Sequence, residues 1–199
     1  VSTLLDRGNI VWTPGLGQND ELDDCTLVAL VNSIRAASLV KNGCDLAINW
    51  DEVVKTFAMI ARVTPTLAAE RTVLGLDPRD VIAYAMKSGV KAGLQAPLVL
   101  KSSSTSIPPV PTNIYQAMRG AGSAYIEIAL TEADLQSAAV MDEMVGKVAG
   151  LHQTFTWDCT GLGPNDTVEI GTWGRWQYMT WRGLQARIQG AWKLDWYLP

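Results

Sequence analysis

The chain is short of the residues that metal and acid–base chemistry most often use: it has one histidine, His152, and three cysteines, Cys25, Cys44 and Cys159. Three thiols with no C-x-x-C pair do not make a disulfide framework, and one histidine cannot assemble the usual Cys/His zinc set. Neither a metal nor another cofactor is expected. Also missing is a run of about 18 or more uncharged apolar residues, which excludes a membrane-spanning helix. Lys and Arg form no cluster and the formal net charge is −4, so the basic surface that nucleic acid requires is absent. Near the start, Asp6 and Arg7 stand where a signal peptide would carry its apolar centre, so nothing marks export, and neither leader nor pro-segment is expected. This leaves the location open between a virus particle and the cytoplasm. No internal repeat is visible.

What is present fits one domain, since 199 residues match the usual size for a single core. After Cys25, the residues Leu27, Leu30, Val31, Ile34 and Ala37 recur at three- and four-residue steps. That spacing predicts a helix over 25–40 with one buried face, stopped at Asn42-Gly43. Asn49-Trp50-Asp51-Glu52 reads as a capping box for a second helix over 50–62. Asp77-Pro78 opens a third over 78–88, closed by Gly89. The stretch KSSSTSIPPVP, residues 101–111, holds no regular element and reads as a crossing between two parts of the fold.

Beyond it, a short helix over 112–119 ending at Gly120 precedes a strand over 124–130, with Ile126, Ile128 and Leu130 inward and Glu127 outward. Thr131 can cap a helix over 132–147, and the remainder reads as several strands joined by the turn LGPND. Helices first and strands second, without βα alternation, make the fold class α+β. The expected organisation is a single domain, 1–199, mainly helical over 1–105 and mainly β over 106–199. Six of the eight tryptophans lie at or after Trp157. Trp192, Trp196 and Tyr197, so near the chain end, read as a surface for other protein subunits.

A cysteine at a helix N-terminus is favoured as thiolate by the unpaired amides and the helix dipole, and Cys25 has that position. The base on offer is His152. A side-chain amide shortly before the nucleophile can join the backbone N–H of Cys25 in holding an oxyanion, and Gln18 sits seven residues before it. Against these stand Asp23 and Asp24, whose charge disfavours a neighbouring thiolate and whose ordinary role is capping the helix.

Gln18, Cys25 opening a long helix, His152 far downstream and Gly171-Thr-Trp-Gly-Arg-Trp176 resemble, in that order, the papain-like cysteine peptidases. INWDEVVKTF, DPRDVIAYAMKSGV and PTNIYQAMRGAGSAYIEIAL resemble later segments of the same family, so the likeness runs along most of the chain. It implies a two-lobed fold, with a central helix starting at Cys25 in the helical lobe and His152 in the β-rich lobe. The site residues it implies are Cys25, His152 and Gln18.

Some positions depart from the family. Gly171 stands where the family has the asparagine that orients the histidine, and Thr172, Asn165 and Asp166 are the nearby side chains that could take over. Thr26 follows the cysteine in place of an aromatic residue, and Leu-Asp-Asp precedes it in place of Cys-Gly-Ser. Asp24-Cys25-Thr26 also resembles the start of bacterial cell-wall peptidases of the NlpC kind, but the long interval to His152 fits the papain arrangement better. Two readings follow. One is a papain-like domain serving as a structural or binding subunit of a larger assembly, for example a virus particle, with weak or lost peptidase activity. The other is an active cysteine peptidase or amidase that cleaves peptides or cell-wall peptides through Cys25 and His152.

Overall fold

The computed structural model describes residues 4, 5, 7, 10, 12–17, 24–62, 75–136 and 140–198. Gln18 and Asp23 lie outside them. Helix α1, Cys25–Asn42, ends where Gly43 takes φ 70° and its N–H bonds back to the Leu39 carbonyl. Leu27, Val28, Ala29, Leu30 and Val31 are all buried in succession, so α1 is covered on nearly every side and not along the single face that its spacing predicts. Helix α2, Trp50–Ile60, starts on the Asn49 side chain, which accepts from the Asp51 amide. Glu52 does not complete a capping box, because it pairs with Lys55. Helix α3, Pro78–Lys87, starts on Asp77, which accepts from the Arg79 amide.

Short strands β1, Val99–Leu100, and β2, Thr105–Ser106, lie in or beside the crossing segment. Helix α4, Pro111–Ala121, begins on a proline that needs no amide partner and runs through Gly120 to stop at Gly122, φ 95°. Strand β3 spans Ala124–Thr131 and helix α5 spans Glu132–Gln136. Strands β4, Val148–Cys159, β5, Thr167–Thr172, and β6, Arg175–Thr180, follow. Helix α6, Trp181–Arg187, strand β7, Ile188–Lys193, and strand β8, Trp196–Tyr197, complete the chain. Six strands form one sheet in the order β2-β7-β3-β4-β5-β6, and β1 pairs with β8.

Two apolar clusters hold these elements. The first gathers α1, α2 and α3 around Leu30, Ile34, Phe57 and Val81, with Tyr125, Leu194 and Trp196 joining them. The second lies against the other face of β3, around Ile126, Ile128, Leu130, Ile170 and Met179. A smaller one, Trp12, Ala36, Phe155 and Trp157, joins α1 to β4. Of the tail residues expected to face a partner, Trp196 is core: it is 2% exposed, and its indole N–H donates to the Ser33 hydroxyl of α1 at 3.2 Å, whereas Trp192 is half-buried and Tyr197 is exposed. Trp196 thus packs with the helices, while Trp192 stays in the sheet as the cross-strand partner of Tyr125.

The helix expected over 132–147 stops within α5. Asp134 turns back to accept from the Thr131 amide at 2.9 Å. Its carboxylate also receives Arg187 Nε at 3.2 Å and Nη2 at 2.8 Å. Met141 then bridges to Met179 alongside β6, so tertiary pairing overrides local helix preference. Arg187 is 0% exposed and spends its remaining donors on the Gly183 and Glu143 carbonyls. Removing one partner of such a pair strands the other charge in the interior. Arg187→Met is expected to lower unfolding free energy by about 3–5 kcal/mol, read from urea midpoints at unchanged slope. A loss within about 0.5 kcal/mol, the range of an ordinary surface substitution, would show that the pair is dispensable.

Candidate active site

Cys25 is the first residue of α1. The Asp24 carbonyl accepts the Leu27 and Val28 amides, but the Asp24 side chain makes no cap, although it is fully buried. The expected capping by Asp24 is thus absent, and the carboxyl sits in the protein interior. The first turn is tied to the sheet by Tyr125, whose hydroxyl donates to the Thr26 carbonyl at 2.8 Å. Burial pushes the Tyr125 hydroxyl well above its ordinary pKa, so it stays protonated and keeps donating.

His152 lies within β4, opposite Ile128 of β3. Pairing of β4 with β5 begins at Phe155 and Gly171, so β4 extends past the end of β5 and His152 sits at that overhang. There Nε2 meets the Thr172 hydroxyl in a short hydrogen bond. The Trp173 ring stacks on the imidazole with centroids 4.5 Å apart and planes 21° apart. Trp173 has φ 46° and Gly174 has φ 68°, the two left-handed positions of a tight hairpin turn between Thr172 and Arg175. A bulky residue at positive φ is costly. Here that conformation sets the indole over the imidazole.

Thr172 is therefore the side chain that holds His152. Asp166 is spent on the Gly163 amide at 2.7 Å. Gly171 could not have served. A Cβ there would fall 2.2 Å from the Phe155 ring, so the packing of Phe155 leaves no room for an asparagine.

Cys25 and His152 both line a cavity of about 830 Å³, with Glu127, Gln153 and Trp192 on the sheet side. A narrower crevice behind it again includes Cys25, together with Gln153, Thr172 and Trp173. Gln18 falls outside the described residues. Burial lowers the His152 pKa from 6.5 to about 4, so the ring is neutral at pH 7. Cys159 is buried and its thiol is pushed up to about 12, while Cys44 is exposed. Among the described residues the cysteines form no disulfide, and no group of three or more His, Cys, Asp or Glu side chains could hold a metal ion.

Two wall residues were not singled out from the sequence. Glu127, expected to point outward to solvent, is half-buried and lines the cavity. Gln153, its cross-strand neighbour, is 4% exposed and neither amide atom has a hydrogen-bond partner among the described residues. A buried amide left unsatisfied costs about 1–3 kcal/mol. Alternation along LHQTFTWD does put His152 and Gln153 on opposite faces, but which face meets α1 depends on pairing with β3.

No family model matches the chain, and no curated protein matches it. Among solved structures, the digestive procathepsin L 3 of Tenebrio molitor larval midgut is similar, with a TM-score of 0.68 and 10% identity over 98% of this chain and 70% of that one. At that identity the likeness shows the fold, a papain-like one. No helix among the described residues is long and apolar enough to cross a membrane.

Two outcomes follow from this geometry. Because the folded state holds His152 neutral down to about pH 4 while the ordinary value is 6.5, the unfolded chain binds the extra proton between these limits. Stability therefore falls as pH drops from 6.5 towards 4, by up to about 3 kcal/mol. This component should be missing from the pH–stability curve of His152→Gln, and so should appear as the difference between that curve and the native one. Gly171→Asn, which introduces the residue found there in papain-like peptidases, should destabilise by about 1–3 kcal/mol through overpacking against Phe155, measured by thermal melting, and should not increase Cys25 reactivity.

Proposed function

We propose that the chain is a papain-like cysteine hydrolase of low turnover acting on peptide or amide carbonyls, cell-wall peptides among them. The observation that carries this reading is the support of His152 by Thr172 and Trp173 at the wall of the cavity that also contains Cys25.

In this mechanism the imidazole carries its proton on Nε2, donated to Thr172, and Nδ1 is the basic atom. As the Cys25 sulfur attacks the substrate carbonyl carbon, Nδ1 takes the thiol proton and the carbonyl π electrons move to oxygen. The Cys25 backbone N–H and the Gln18 side-chain amide hold that oxyanion. The imidazolium then gives its proton to the departing amine, and water hydrolyses the thioester by the reverse order of transfers. With a ring pKa of about 4, imidazolium formation is disfavoured, so resting thiolate is scarce and turnover is slow.

Alkylation of the Cys44→Ser protein by iodoacetamide tests the resting state. The Cys25 rate should rise towards pH 8–9 as for an ordinary thiol (about 8.5), and a rate already at its plateau near pH 5 would contradict the neutral pair. Amide hydrolysis should vanish in Cys25→Ala and drop about 10²-fold or more in His152→Ala. In Thr172→Val it should drop about 5- to 10-fold, the value of one net hydrogen bond. Hydrolysis indifferent to Cys25 would overturn the reading.

The second reading, a structural or binding subunit of a larger assembly such as a virus particle, has a specific observation in its favour. Val140, Val145, Val148 and Leu151 are exposed along the approach to and start of β4, and this surface replaces the tail as the candidate for contact with other protein subunits. Concentration-dependent association in sedimentation velocity, lost in Leu151→Lys and kept in Cys25→Ala, is the expected result. A monomer at every concentration argues against it.

A further inference from the structure

Three neighbouring strands present a polar row to the cavity beside Cys25. Glu127 of β3 lies opposite Gln153 of β4 on one side and opposite Gly190 of β7 on the other, and directly opposed residues share a face. Gly190 has no side chain, and a Cβ there would fall 2.5 Å from the Trp192 ring. The indole therefore lies against Gly190, next to Glu127, and all four residues line the cavity. The row thus combines a carboxylate, an aromatic ring and a buried amide with no hydrogen-bond partner among the described residues.

The charge of the wall is acidic. Asp77 and Arg79, which line the same cavity, pair with each other at 2.6 Å and leave Glu127 as the uncompensated charge. Burial raises the Glu127 pKa, Asp77 raises it further and Arg79 lowers it. A cationic group docking against Glu127 would oppose that shift. An aromatic face beside a carboxylate is the surrounding that an ammonium or guanidinium group favours over an alkyl chain. The carbonyl of Gln153 supplies a second acceptor.

We propose that Glu127, Gln153 and Trp192 form a specificity site for a cationic side chain of a peptide. Glu127 is the counter-ion, Gln153 the neutral acceptor and Trp192 the aromatic wall. The proposal deepens the hydrolase reading and rests on it in one respect only, that the peptide so held presents its carbonyl to Cys25.

Binding can be measured apart from turnover in the Cys25→Ala protein. The probes are Ac-Lys-Ala-NH2, Ac-Arg-Ala-NH2 and Ac-norleucine-Ala-NH2, titrated by NMR chemical shift at pH 7. Either cationic peptide should bind about tenfold more tightly than the norleucine peptide. That preference should fall below about threefold in Glu127→Gln, a near-isosteric change at a half-buried position, and should weaken in Gln153→Leu and in 0.5 M salt. Equal affinities, no binding of either cationic peptide at millimolar concentration, or a preference that survives Glu127→Gln would each overturn the proposal. Hydrolysis of matching substrates by the unaltered protein is scored separately. Cleavage without a cationic preference leaves the hydrolase reading standing and removes this one, whereas cationic binding without cleavage does the reverse.

Discussion

The pairing of β3 with β4 is the constraint on which the site depends. Side chains alternate along a strand, so a slip of one residue would exchange the surroundings of His152 and Gln153. In the register observed, His152 stands across from Ile128 and Gln153 across from Glu127. Packing on both faces fixes this choice. On one side Ile126, Ile128 and Leu130 belong to the cluster that also buries Ile170 and Met179. On the other, Phe155 and Trp157 meet Trp12 and Ala36, and Tyr125 reaches the first turn of α1. No single slip satisfies both sides, because it would send the aromatic row inward and the aliphatic row against the helix.

The same aromatic packing explains why the site departs from the family's pattern. Phe155 sits 5.9 Å from Trp12 and 5.7 Å from Trp176, ring centroid to ring centroid, and fills the space above Gly171. Once that space is taken, nothing larger than glycine fits at 171. The next residue whose side chain points to the His152 side of the sheet is Thr172. A hydroxyl is shorter than a carboxamide, and the close His152 to Thr172 contact is consistent with the hairpin turning back at once through Trp173 and Gly174. The glycine at 171 and the aromatic cluster around Phe155 thus require each other.

Much of the helical part was legible because its signals are local. Asn49, Asp77 and Pro78 start helices where side-chain oxygens or a missing amide favour a start, and Gly43 ends one where left-handed backbone is required. Cys25 at a helix start and His152 in a strand were legible for the same reason. What failed depended on distant partners. Thr131 reads as the cap of a long helix, but Asp134 is claimed by Arg187, which lies far along the chain. The tail tryptophans read as surface because they fall at the end of the sequence, yet β8 pairs with β1 and carries Trp196 into the helical cluster. Glu127 alternates with isoleucines as a solvent-facing residue would, and only the position of α3 and β7 turns that face into a cavity wall.

The burial that orients His152 also limits what it can do. Enclosure by Trp173 and Thr172 keeps the ring in one orientation. Enclosure also removes the water that would stabilise imidazolium, and the ring pKa falls to about 4. Thr172 offers a neutral dipole in compensation, not a charge. In the proposed hydrolase the remaining source of stabilisation would be the substrate itself, since the developing oxyanion and the imidazolium would arise together in a cavity from which water is displaced. A ligand that fills the cleft strengthens that mutual attraction at the moment it is needed, while the unliganded site stays uncharged. On the proposed hydrolase reading the site is quiet when empty, and turnover would draw on binding energy supplied by the walls of the cavity and not on a thiolate held in advance.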